Sequence, residues 1–475
     1  MTSKTPKITP QNVQFQLSAE AVPGGSVSAE AVPGGSVSAE AVPGGNVPAE
    51  ANLGGNVANN PLFLLESQLP GHPSSDKNYL FSDFAAWITF ESGQIKAHIR
   101  TPLHPDVHKS LLDLEHEPDP WVAISRFRTI FPGYVCGFIA YDLKNYREKL
   151  SSDNPDPISL PEMWIGFPCK VHIFDDPVSS ETLSGSFALH HLHPTISKSD
   201  YLKIIHDAKH RIHEGDYYEI NLSHQLKADF SGSAQALYRD MRARGPVPYA
   251  AYIQLSGNPA TVPDSSASSS DIQICCASPE RFLYKSARQL TSDPIKGTRP
   301  RGATTAEDDQ IKAQLIASDK ERAENLMIVD LVRNDLNRVC EPGSVRVDQL
   351  FEIQSFATVH QMVSRVCGTL RSDISAEESL AACFPMGSMT GAPKIRAMED
   401  IERLETYRRG LYSGSVGFFT PEGDFKFNVV IRTAIIRQQK LYYPVGGAIT
   451  ADSDPEAEWQ ETLIKARALG VELSQ

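Results

Sequence analysis

Basic residues are in deficit. The 475-residue chain carries 45 Lys and Arg against 58 Asp and Glu, a formal net charge of −13. That is the wrong sign for the phosphate contacts that dominate nucleic-acid affinity. Long apolar runs are also missing, since nothing approaches the roughly 20 residues that span a bilayer. Met1-Thr2-Ser3-Lys4-Thr5-Pro6-Lys7 leads into neither the apolar core of a signal peptide nor an arginine-rich transit pattern. No nucleic-acid partner and no membrane partner are therefore expected, and the default compartment is cytoplasmic. The seven cysteines, at 136, 169, 275, 276, 340, 367 and 383, form neither a CxxC pair nor a zinc-ligand spacing. They are expected to be reduced and packed, with Cys275 and Cys276 on opposite faces of a strand.

What is present begins with a ten-residue repeat over 18–57, each unit carrying Ala-Glu-Ala and most continuing Val-Pro-Gly-Gly. Stacked units would bury too little to offset the entropy of ordering them, so 1–58 is expected to be a disordered extension. Ordered sequence divides into an N-terminal part, 59–195, and a catalytic region, 196–475. Strand-like runs occur at Pro61 to Ser67, Phe84 to Phe90, Pro132 to Asp142 and Tyr249 to Leu255. Ser197 to Gly215 has Tyr201, Ile204, Ile205, Ala208 and Ile212 at helical spacing. Gly257 to Asp271 is Ser/Pro/Asp-rich and reads as a mobile loop. Strands in runs with grouped helices argue an α+β fold.

The chemistry centres on Ser292 to Val345. Asp293-Pro294-Ile295-Lys296-Gly297-Thr298 is a Pro/Gly-rich stretch expected to form a rigid turn presenting a single lysine. Glu321 and Glu324 then lie three apart on a helix whose Ser318-x-x-Glu321 start is a capping-box pattern. Asp454-Pro455 starts a second helix with Glu458 and Glu461 at the same spacing. Four carboxylates meeting in a cleft would repel unless a divalent cation lay among them, and oxygen-only ligands favour Mg2+. Phe384 to Lys394 lacks the Gly-Lys-Ser/Thr of a nucleotide loop. It retains a glycine-rich turn with Thr390 and Gly391 before a helix. Asn428 to Ala434 reads as one strand with Arg432 on the polar face of Asn428, placed to clamp a carboxylate. Gly446-Gly447-Ala448 offers backbone amides to an anion, and His360 taken alone reads as a satisfied core histidine.

Taken together and in this order, these motifs resemble the chorismate-utilising enzymes, from Pro61 to the C-terminus. The resemblance implies two large packed antiparallel β-sheets with helices outside. It implies that Glu324 and Glu461 ligate Mg2+ with Glu321 and Glu458 in support. It further implies that Arg432 and Tyr412 grip a substrate carboxylate, that His360 lies near the departing 4-hydroxyl, and that Thr390, Gly391, Gly447 and Ala448 line the pocket. Pro-Ile-Lys-Gly-Thr at Lys296 matches the branch that makes 4-amino-4-deoxychorismate for para-aminobenzoate and folate synthesis. Anthranilate synthases carry alanine there. In that branch lysine attacks C2 of chorismate and ammonia later adds at C4, so a Lys296 pKa lowered by burial or nearby cations is expected. Glu219 stands where many members have glutamine and others a water-activating lysine, which leaves its catalytic role open. Leu65, Glu66 and Ser67 with Pro246 and Tyr249 resemble the family's tryptophan pocket, occupied or not. No Gly-x-Cys-x-Gly nucleophile motif occurs in these residues, so ammonia is expected from a separate glutamine amidotransferase subunit. Anthranilate synthesis and a silent chorismate-binding scaffold remain the alternatives.

Overall fold

The computed structural model describes residues 60–255 and 272–471 and, upstream, the backbone of Glu40–Pro43. Its strands build two large antiparallel sheets with helices outside, the α+β architecture expected. In one sheet, successive neighbours are Phe187–Pro194, Glu219–Gly232, Lys440–Ile449, Thr433–Arg437, Ile272–Ser278, Tyr249–Leu255, Leu62–Glu66 and Asn78–Glu91. In the other they are Met163–Phe174, Val135–Ile139, Ser415–Phe419, Phe425–Asn428, Arg281–Ser286, Gln289–Asp293 and Val359–Thr369. Asn78–Glu91 and Met163–Phe174 pair with each other through a register shift beside Asp83, which sits at φ 52°, and so join the two sheets.

Period-2 alternation sets which face packs where. Phe63, Ile253, Ile274 and Cys276 of the first sheet meet Phe138 and Phe418 of the second in the layer between them. Leu62, Leu64, Tyr252 and Cys275 point outward, onto Leu237, Tyr238 and Met241 of the Ala234–Arg244 helix. The second sheet is covered by Pro120–Ile130, Asp319–Asn337 and Ala376–Cys383, which contribute Phe127, Ile328 and Leu380 to one core. The predicted amphipathic helix spans Lys198–Glu214, capped by the Ser197 hydroxyl and ended by Gly215 at φ 87°, with Tyr201, Ile205 and Ala208 buried. Among the described residues, no helix is long and apolar enough to cross a membrane.

One expectation is corrected within the repeat. Glu40–Pro43 is a strand paired in parallel with Lys170–Ile173, so disorder does not extend across all of 1–58. Val135–Ile139 stops pairing with Met163–Phe174 at Gly166, which leaves an open edge whose free backbone groups recruit an extended segment. The rest of the repeat and the 257–271 loop lie outside the described residues.

A buried guanidinium ties the segments that will matter for function. Arg409, 2% exposed, donates Nε and Nη2 to the two oxygens of Glu405 at 2.9 and 2.6 Å. It also donates to the carbonyls of Met389 and Asn221, both at 2.7 Å, and to the Ser413 hydroxyl at 3.2 Å. Glu405 accepts in addition from the amide and hydroxyl of Ser223, each at 2.8 Å. Removing one partner strands a buried charge, at a cost of about 3–5 kcal/mol. Arg409→Met should therefore lose about that much stability in urea denaturation, and a loss below about 1 kcal/mol would show that the pair does not hold these segments.

Candidate active site

The site lies where the chain passes twice from one sheet to the other. Glu280 occupies the short passage between Ile272–Ser278 and Arg281–Ser286, and Arg432 the passage between Phe425–Asn428 and Thr433–Arg437. The passages hold each other: the Val429 amide donates to the Glu280 carbonyl at 3.0 Å, and the Ala277 amide to the Arg432 carbonyl at 3.1 Å. The single strand expected over 428–434 is thus two, because its halves pair in different sheets. Arg432 sits at the break with φ 50°. Its guanidinium makes no hydrogen bond among the described residues, and burial pushes its pKa down. A half-buried cation without an ion-pair partner among the described residues is suited to an anionic ligand.

The lysine stretch is also a strand, Ile295–Pro300, paired with Val359–Val363, not the turn expected. Gly297 absorbs the register shift at φ 86°, where a Cβ would lie 3.0 Å from the Glu321 carboxylate. Lys296 Nζ donates to Glu219 Oε1 at 2.6 Å, with the two side chains 10% and 1% exposed. Burial alone would lower the lysine's pKa, but Glu219, Glu324 and Glu280 outweigh it and the net shift is upward. The expectation of a lowered pKa is therefore corrected for the resting site. Glu280 behaves oppositely: burial pushes its carboxyl up to about 7, although the Ser388 hydroxyl, donating at 2.7 Å, and the Lys296 charge oppose that.

Glu219 is placed by the glycine-rich turn. Gly391 and Ala392 pair with Ile220 and Glu219, and a Cβ on Gly391, at φ 153°, would lie 2.2 Å from the Glu219 carbonyl. Thr390 is fully buried, with its hydroxyl donated to the Met386 carbonyl at 3.2 Å and its carbonyl accepting from the Asn221 amide at 2.8 Å. Gly447 and Ala448 pair with Leu222 and Asn221 on the same strand. Tyr412, 3% exposed, lies under the Arg409 guanidinium, and burial raises its pKa.

The four glutamates form two pairs around lysines. Glu321 does not reach back to its helix start but accepts from Arg299 at 2.8 Å. Burial pushes Glu324 up to about 7, with Lys296 opposing and Glu219 adding to the rise. A Cβ on Gly447 would lie 3.4 Å from Glu458 and 3.5 Å from Glu461, so both carboxylates of the Pro455–Ala466 helix crowd that strand. Burial raises the Glu458 pKa, whereas Lys465, 2.7 Å from Glu461, overcomes burial and lowers that of Glu461. The Lys320 ammonium acts on Glu324, Glu458 and Glu461 together, so the two helices face one another. Among the described residues no three metal-ligating side chains are gathered as a ready-made site. The donor set is nevertheless all carboxylate, the chemistry that fits Mg2+.

Over residues 60–470 the chain matches the chorismate binding enzyme family. The chain belongs to that family. It is 47% identical over 275 residues to a probable chloroplastic aminodeoxychorismate synthase of Oryza sativa subsp. japonica, a match covering 57% of this chain and 29% of that protein. It is 34% identical to aminodeoxychorismate synthase component 1 of Klebsiella aerogenes, over 76% of this chain and 81% of that one. Its structure resembles that of anthranilate synthase component I from Streptococcus pneumoniae TIGR4 at a TM-score of 0.66 and 26% identity, covering 85% of this chain and 94% of that chain. The chain thus matches less than a third of the length of the rice relative.

Within this chorismate-binding frame, His360 is fully buried with both ring nitrogens engaged, by Asp308 at 2.8 Å and Ser355 at 2.9 Å. It presents no free nitrogen to the departing 4-hydroxyl near which the resemblance puts it. Leu65, Glu66, Ser67 and Tyr249 do come together, lining a cavity of about 70 Å³, but Pro248 takes the place assigned to Pro246. The Glu66 carboxylate there is committed to Tyr238 at 2.6 Å, the Val178 amide at 2.7 Å and Arg242.

Sequence reasoning missed Glu280, Ser388, Asp308 and Arg409. Glu280 left one signal, an acidic residue in the two-residue gap between strand runs, where burial is hard to avoid. Because its folded pKa of about 7 lies above the ordinary 4.5, the native state keeps a proton that the unfolded chain releases between those values. Stability from this group is lost as pH rises through that window, by about 3 kcal/mol in full. Glu280→Gln should therefore be about 2–3 kcal/mol more stable than wild type at pH 8, with the gap closing by pH 4.5 in urea melts. An equal gap at both pH values would contradict a protonated native Glu280.

Proposed function

We propose that the chain is an aminodeoxychorismate synthase, converting chorismate and ammonia to 4-amino-4-deoxychorismate on the route to para-aminobenzoate and folate. The observation that carries this reading is Lys296, the one amine paired to Glu219 at the sheet crossing beside the unpartnered Arg432. The 47% identity to the rice relative agrees with it. Arg432 and Tyr412 hold a substrate carboxylate. Lys296 Nζ bonds to C2 as the C4–O bond breaks with shift of the double bond. Glu280, neutral near pH 7, gives its proton to the departing hydroxyl, which leaves as water. Ammonia then adds at C4, the C2–Nζ bond breaks, and Glu280 recovers a proton from the new amine. A bound Mg2+ would supply counter-charge for the other carboxylate, held by Glu324 and Glu461 with Glu321 and Glu458 behind them. Ammonia would come from a separate glutamine amidotransferase, and the Leu65–Tyr249 cavity would hold tryptophan.

Anthranilate synthesis is the second reading, favoured by the fold match to the Streptococcus pneumoniae structure and opposed by Lys296. Purified protein given chorismate, Mg2+ and ammonium should yield para-aminobenzoate once a lyase is added. Lys296→Ala should reduce it at least about 1,000-fold, and excess EDTA should abolish it until Mg2+ is restored. Anthranilate fluorescence from the wild type would place the chain in the other branch instead.

A further inference from the structure

We infer that Glu219 is the base that discharges Lys296 before it attacks: the proton passes from Nζ to Oε1, and returns when the amine is expelled. The inference rests on the aminodeoxychorismate reading above. At rest the lysine is an ammonium with no lone pair, so a nucleophilic route needs a proton acceptor in contact with it. Glu219 Oε1, at 2.6 Å, is the only carboxylate oxygen within ion-pair distance among the described residues. Glu280, Glu324 and Glu461 act on the lysine only through their charge, from the 279–280 passage, the Asp319–Asn337 helix and the Pro455–Ala466 helix.

The surroundings of Glu219 suit a base. Among the described residues its Oε2 is buried and accepts no hydrogen bond, and Lys296 is the one donor to its carboxylate. Asp308 is the contrast: it accepts from Arg301 twice, from the Gly302 amide and from His360, all at 2.8 Å, and those donors drive its pKa far down. A carboxylate so occupied has no oxygen free to take a proton, whereas Oε1 of Glu219 is bonded only to the ammonium it would discharge. Once the proton moves, a neutral amine faces a neutral carboxyl, and the pair carries no net charge before or after. When Nζ bonds to C2 it becomes a secondary ammonium beside the protonated Glu219. Breaking C2–Nζ returns a free amine, which takes the proton back, so the balance closes without another reactant.

Glu219→Gln keeps the hydrogen bond and removes the base, so kcat should fall about 100-fold or more at pH 7 with KM for chorismate within threefold. In this variant Lys296 must lose its proton to solvent, so the ratio of its kcat to that of wild type should climb about tenfold per pH unit from pH 6 to 9. Wild type itself should show only the fall above pH 7 that follows as Glu280 loses the proton it gives to the departing hydroxyl. Glu219→Asp, still a base, should keep the wild-type profile and recover much of the rate. In a Lys296→Ala background, Glu219→Gln should cost nothing more, because the base acts only through the lysine. Melting temperatures of all variants identify any that fail to fold, and Glu219→Asp then carries the pH test. Wild-type-like kcat in Glu219→Gln, or a fall of equal size at every pH, would overturn the inference while wild-type synthesis of 4-amino-4-deoxychorismate left the proposed function standing. Anthranilate as the wild-type product would overturn both.

Discussion

The site depends on one buried charge that never meets substrate. Arg409 sits behind the pocket and spends its donors on Glu405, on the carbonyls of Met389 and Asn221, and on Ser413. All of these but Glu405 lie within two residues of a pocket group: Met389 precedes Thr390, Asn221 follows Glu219 by two, and Ser413 follows Tyr412. A buried guanidinium tolerates no vacancy among its partners, so the three segments are fixed relative to one another as a condition of folding. Positional accuracy at the pocket is thereby tied to global stability, and not left to the flexibility of loops.

The second constraint is charge. A chain with a net charge of −13 that binds carboxylates, as proposed, has to balance charges locally. Lys296 answers Glu219, Arg299 answers Glu321, and Lys465 answers Glu461, while Lys320 stands between the two acidic helices. Arg432 alone in this set has no ion-pair partner among the described residues. The pocket therefore offers one cation open to an anion and a set of carboxylates already answered by lysines. A divalent ion entering among the glutamates would relieve the cost that keeps Glu324 near pH 7.

Local pattern made the helices and most strands legible. Ser197 and Gly215 bound one helix, Asp454 and Pro455 open another, and the runs at Leu62 and Tyr249 form the strands expected. Where the sequence misled, the cause was non-local. Lys296 was read as lying on a turn because Pro and Gly flank it, but its strand exists only through pairing with Val359–Val363, more than sixty residues away. Asn428 to Ala434 was read as one strand because its alternation is unbroken, yet the pairing partners of its halves lie in different sheets. The raised pKa of Lys296 was equally out of reach, since it depends on Glu219, Glu280 and Glu324 converging from three separate elements.

Three carboxyl groups near one lysine and one histidine show how a single side-chain chemistry is divided by its surroundings. Asp308, crowded with donors, is a permanent anion and serves to hold His360 and Arg301 in place. Glu280, whose burial outweighs one hydroxyl and a lysine charge that oppose it, keeps its proton to about pH 7 and can give it away. Glu219 is bonded at one oxygen to Lys296 and accepts no hydrogen bond at the other among the described residues. An acid and a base can coexist near one amine only if their environments differ this sharply. The two sheet crossings produce that difference, because Glu280 reaches the pocket from the buried passage between sheets and Glu219 from the first residue of an ordinary strand.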